Sequence, residues 1–170
     1  MRTKRWLARV TAAGLVLMTS VAQGQATKAQ AAVAAALRGG THVALGAAIA
    51  TAGAAGKPIS ARYEVEDGKL QLSVFIEKAG AFSEVFVDYT TGKVARTDKI
   101  TGGDDLKEAK VESRAAAKAK ATIASALDQA LAANPGYTAI EVSSVLVSGR
   151  PVADITLMKD GQFKSVSEPL

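Results

Sequence analysis

The sequence predicts an α+β fold in which helices lie on antiparallel sheet, arranged as two consecutive units. Three observations predict it. Between Ile59 and Ile76 apolar and polar residues alternate with period two, the mark of strands with one buried face. Asp67-Gly68 and Asp160-Gly161 interrupt alternating runs, and each dipeptide suits a two-residue hairpin whose central residues need positive φ. Lastly, an alanine-rich helical stretch precedes strands twice, with helix stops at Gly56-Lys57-Pro58 and Asn134-Pro135-Gly136.

The first 26 residues stand apart. Arg2, Lys4, Arg5 and Arg9 flank an apolar run from Val10 to Met18, and small residues follow. This is the pattern of a Sec-type signal peptide, cleaved after Gly24, Ala26 or Ala31. The run is shorter than the roughly 20 residues of a membrane span, which argues against an uncleaved anchor. The expected destination is the periplasm or the exterior, with no transmembrane segment after cleavage. Four of the 21 basic side chains and none of the 16 acidic ones lie in this segment. The remainder holds 17 basic against 16 acidic groups, so the high pI is a targeting feature and not a nucleic-acid footprint. No cysteine occurs, which removes disulfides, thiol nucleophiles and thiolate metal sites.

Residues 27–40 form an alanine-rich leader or loose helix, ended by Arg38-Gly39-Gly40. Thr41 is placed to cap a helix over 42–55, whose small apolar surface suits close packing on a sheet. Strands follow on either side of Asp67-Gly68, then a turn at 78–81 containing Gly80, then a third strand with Val85 and Val87 on one face. Thr90-Thr91-Gly92-Lys93 turns the chain and Val94 opens a return strand. A boundary falls at 101–111. The alanine-, lysine- and glutamate-rich run 106–133 predicts one long helix, solvated in its first half and buried near its end through Ile123, Leu127, Ala130 and Leu131. Strands resume at Ile140, Val152 and Phe163, so that 112–170 repeats the order of elements in 41–100.

The most specific stretch is Glu84-Val85-Phe86-Val87-Asp88-Tyr89-Thr90-Thr91-Gly92-Lys93-Val94. A hydrophobic strand, Val-Asp, an aromatic residue, two variable positions and Gly-Lys-Val together resemble the ending of a PepSY domain. With the small-residue helix and the Asp67-Gly68 hairpin, residues 41–100 resemble that family as a whole. Residues 112–168 resemble it in outline only, since Ser165-Val166-Ser167-Glu168 lacks the Val-Asp and Gly-Lys ending. The resemblance implies a non-enzymatic module that inhibits or chaperones a peptidase, or binds and regulates outside the cytoplasm. The motif residues Val87, Asp88, Gly92, Lys93 and Val94 read first as structural: Asp88 and Thr91 satisfy the turn's backbone groups, and Gly92 supplies positive φ.

No catalytic constellation is visible. His42 is the single histidine and has no nearby partner for metal or general-base work. Glu64, Glu66 and Asp67 lack the spacing of a calcium loop, and the serines lack a nucleophile elbow. The chain is therefore expected to be no enzyme and to use no metal or cofactor. If Leu72, Val74, Val85 and Val87 face the helix, Phe75 and Phe86 point to the opposite face of the sheet. Such a patch is either covered by the second unit, the favoured reading, or left open as a binding site for a peptidase segment or other extended peptide, which could add a strand at a sheet edge. The expected partner is a protein, with a small-molecule or metal-sensing envelope domain, or a structural envelope protein, as the alternatives.

Overall fold

The structure, a computed structural model, describes residues 26–170; the expected signal peptide lies outside the described residues save for Ala26. The class is α+β. Four helices, α1 (Lys28–Ala36), α2 (Leu45–Gly53), α3 (Gly103–Lys118) and α4 (Ile123–Ala133), accompany seven strands. The strands are β1 (Lys57–Glu66), β2 (Lys69–Lys78), β3 (Ala81–Val87), β4 (Val94–Ile100), β5 (Thr138–Val147), β6 (Arg150–Lys159) and β7 (Gln162–Pro169). All seven join one antiparallel sheet in the order β4-β3-β2-β1-β5-β6-β7. Two meanders thus meet at β1 and β5, along a seam of three residue pairs, Ser60–Ser143, Ala61–Val142 and Arg62–Glu141. Four strands follow α2, whereas three follow α4.

The hairpins follow from local backbone chemistry. Asp67-Gly68 has φ of 49° and 74°, and Asp160-Gly161 has 52° and 75°, as a type I′ turn requires. The strand alternation then sorts side chains between faces. Ala61, Leu72, Val74, Val85 and Val142 share one core with Leu45, Ala48, Ile49 and Ala52 of α2 and with Ile123, Leu127 and Ala130 of α4. Val33 and Ala34 of α1 complete that layer. On the opposite face, Phe75, Ile59 and Ile100 pack against Ala109 and Ala116 of α3, with Leu106 and Phe82 at its margin. A bulge between Pro58 and Ser60 inserts Ile59 as an extra residue, so that Ile59 and Ser60 both serve the α3 side.

Two expectations are corrected. The run 106–133 is two helices. Thr122 accepts from the Ser125 N–H at 3.1 Å while the Ser125 hydroxyl accepts from the Thr122 N–H at 3.2 Å, a capping box that starts α4 afresh. The break lets α3 and α4 lie on opposite faces of the sheet, and α3 buries Ala109, Glu112, Ala115 and Ala116 where a solvated surface was expected. Thr41 is not the cap of α2, which begins at Leu45 behind Ala44 with no side-chain cap. The Val43 N–H donates to the Tyr89 carbonyl at 2.8 Å, and the Val43 carbonyl accepts from the Tyr63 hydroxyl. These two bonds hold the segment before α2 extended against β1 and the turn after β3. Burial pushes the Tyr63 phenol up to about 12.

Candidate functional site

The turn between β3 and β4 is a closed clasp. The Asp88 N–H donates to the Lys93 carbonyl and the Gly92 N–H to the Asp88 carbonyl, both at 2.8 Å. One Asp88 carboxylate oxygen accepts from the Thr90 N–H at 2.9 Å, the Thr90 hydroxyl at 2.6 Å and the Thr91 N–H at 2.8 Å. The Thr90 hydroxyl and the Thr91 and Thr90 amides hold that carboxyl down at about 2, since hydrogen bonds to the charged form favour ionisation. Gly92 takes φ of +72° with Val43 3.5 Å from where a Cβ would sit, and its carbonyl accepts from the Thr51 hydroxyl at 3.1 Å. His42 leans on the Tyr89 ring, centroids 5.7 Å apart. The motif therefore docks the hairpin on α2. Val87 is buried, while Lys93 and Val94 reach solvent.

Phe75 and Phe86 do point away from α2, but neither forms an open patch. Phe75 is 2% exposed, beneath α3 and under the Arg62 guanidinium, 4.8 Å from its ring centroid. Phe86 is 8% exposed because Arg96 of β4 lies 3.4 Å over its ring. The open-face binding site is thus corrected. A helix from the same chain occupies that face.

What pins α3 there is a polar cluster. Glu112, 3% exposed, shares a 2.6 Å hydrogen bond with the Ser60 hydroxyl. One turn away, Arg62 donates to both oxygens of Glu108 at 2.8 and 3.3 Å and approaches Glu64 at 3.6 Å. Burial, with the neighbouring charge of Glu108 adding to it, pushes the Glu112 carboxyl up to about 8 against the partial offset of the Ser60 bond. Burial likewise raises Glu84 and Glu141. At neutral pH Glu112 is a neutral acid and satisfies Ser60 without an ionised buried group, which would be costly. Sequence reasoning missed Glu112. The signal was the alanine spacing around it, Ala109, Glu112 and Ala116, which marks a small-residue face.

The sheet has two edge strands, β4 and β7, and β4 is the more exposed. Its first six residues are exposed and only Ile100 is buried, so it extends beyond the helix layers, with one strand edge unpaired among the described residues. Lys93, Arg96 and Lys99 lie along it, together with Asp98, which pairs with Arg96 at 2.9 Å, Glu84 opposite on β3 and Asp88 in the turn before it. A shallow groove of about 440 Å³ lies at one end, lined by Leu70, Phe86, Tyr89 and Arg96 among others. A second of about 420 Å³ lies at the other, beside Phe82, Ile100 and Leu106. Among the described residues no three His, Asp or Glu side chains converge as a metal site would need. No described helix is long and apolar enough to cross a membrane. No protein-family model, curated protein or solved structure matches the chain.

Proposed function

We propose that the chain is an exported, non-enzymatic protein-binding module that engages an extended, net acidic segment of a partner along β4, and that the partner is a peptidase whose activity it modulates. The carrying observation is β4 itself: a seven-residue strand, exposed over its first six residues, with a free edge and the exposed Lys93 and Lys99 near its two ends. Alternate residues of an edge strand point their N–H and C=O groups outward, and an added strand satisfies them. The grooves at both ends offer places for the added strand's side chains. The resemblance to PepSY modules and the signal-like N-terminus support a peptidase partner outside the cytoplasm.

The test uses two adjacent proline substitutions, Thr97→Pro and Asp98→Pro. Because strand N–H groups alternate between the two sides, one substitution removes an outward donor and the other an inward one. The chain without residues 1–26 is used to capture partners from its own envelope fraction, and secreted peptidase activity is assayed alongside. Capture of a peptidase that the outward-donor variant loses, at unchanged melting temperature, supports the reading. If neither variant alters capture, the edge is not the site. If no peptidase is captured or affected, the peptidase assignment fails.

A further inference from the structure

We infer that the chain carries a second, separate site: a pocket at the end of the β1–β5 seam that takes a small, mostly apolar carboxylate. The seam stops at Ser60–Ser143, and past it the two strands part. Ala119, Ala121 and Thr122 of the link between α3 and α4 lie here, where the chain passes from the core under α3 to the core under α4. Around it lies a cavity of about 230 Å³, walled by Ile49 and Ala50 of α2, Pro58 of β1, Ile123 and Ala124 of α4, and Leu170. A dry apolar cavity of about 150 Å³ is enough to bind benzene in another protein, so this one has room for a ring with substituents or a short alkyl chain.

Two polar features define the ligand's chemistry. Ser144 is fully buried, lines the cavity and has no hydrogen-bond partner for its hydroxyl among the described residues. It shares a face with Val142 and is the first residue of β5 beyond the seam, where β1 offers no opposing group. A buried hydroxyl without a partner is destabilising unless something fills the role. Lys57 stands exposed at the rim. Its ammonium donates once, to the Ala116 carbonyl at 2.7 Å, and an ammonium has three protons to give. The cavity wall also includes the first residues of α4, the end of a helix that favours negative charge. A hydroxyl inside, a cation at the mouth and an apolar wall select a single acceptor group on an apolar body. A monocarboxylate such as a medium-chain fatty acid has that form.

The experiment is a titration of the chain with sodium octanoate, 1-octanol and octyltrimethylammonium, followed by amide NMR shifts. Octanoate is expected to saturate with Kd below about 1 mM, shifting Ala50, Ile123 and Ser144 and leaving β4 still. Octanol should bind about fivefold more weakly, the upper end for loss of an exposed ion pair, and the ammonium compound more weakly again. Ala50→Phe, at an exposed position on the rim, is expected to abolish binding without lowering the melting temperature. Ser144→Ala should weaken octanoate about fivefold, as loss of one hydrogen bond does. Absence of saturation, shifts confined to other parts of the surface, undiminished binding by Ala50→Phe, or equal binding of the ammonium compound each overturns the inference. The wild-type shifts alone decide the case should either variant fold poorly.

Discussion

Glu112→Gln separates the protonation of one buried carboxyl from everything else that holds α3 on the sheet. The amide keeps the shape and can still bond Ser60, but it cannot ionise. In the folded chain the Glu112 carboxyl titrates at about 8, against 4.5 for an ordinary glutamate. Below both values the folded and unfolded states each hold the proton, and the wild type should match the variant. As pH rises past 4.5 the unfolded chain releases the proton while the folded chain keeps it. Stability then falls with pH, by up to about 1.4 kcal/mol per unit, until the folded carboxyl ionises as well. Integrating between the two values, the wild type loses about 2.5 kcal/mol relative to Glu112→Gln from pH 5 to pH 7, and about 5 kcal/mol in all by pH 9. Urea unfolding of both proteins at pH 5, 6 and 7 measures this directly. The raised Glu84 and Glu141 are common to both proteins, so their contributions largely cancel. A stability difference that stays constant within about 0.5 kcal/mol across this range would refute the reasoning. It would mean that Glu112 is ionised and hydrated in the folded chain, and that α3 does not seal the face.

Phe75→Ala should destabilise by about 3–5 kcal/mol through the cavity it leaves beneath α3, read by urea unfolding; a loss under about 1 kcal/mol would mean that α3 does not rest on this ring. Gly92→Ala, forced to keep positive φ, should lose about 1–2 kcal/mol; a melting temperature unchanged from wild type would show that the turn accepts another conformation. Asp88→Ala should remove a stabilisation that is present above pH 3.8 and fades as pH falls through about 2. The wild-type and variant melting temperatures should therefore converge on acidification, and parallel curves would deny the carboxylate its role in the turn.

Much of the sheet was legible because its cause is local. The alternation from Ala61 to Ile76 sorted the side chains between the two faces, although the face opposite α2 is buried as well, at Ser60, Ser73 and Phe75, and the two Asp-Gly dipeptides marked their turns. Ala79-Gly80 and Ser148-Gly149 adopt the same positive-φ pair, at 53° and 80° and at 51° and 79°, yet alanine and serine in the first position announce nothing specific. The break between α3 and α4 was hidden because helix propensity is nearly uniform across the alanine- and lysine-rich run. What divides it is the cap at Thr122 and the need to cover two faces. Glu112 was read as solvated because its neighbours in sequence are charged, while its neighbours in space come from β1. Phe75 and Phe86 were placed on the correct face, but what covers that face lies outside any local pattern.

The three-pair seam between β1 and β5 also sets how the chain can assemble and come apart. Every other strand pairing joins neighbours in sequence, whereas Ser60 and Ser143 lie more than eighty residues apart. Both meanders can therefore zip up by local closure, and the seam must wait for a long loop to close, the slow kind of contact in folding. Force applied across the strands would meet its shortest ladder at that seam, and would part the sheet there while both meanders remained intact.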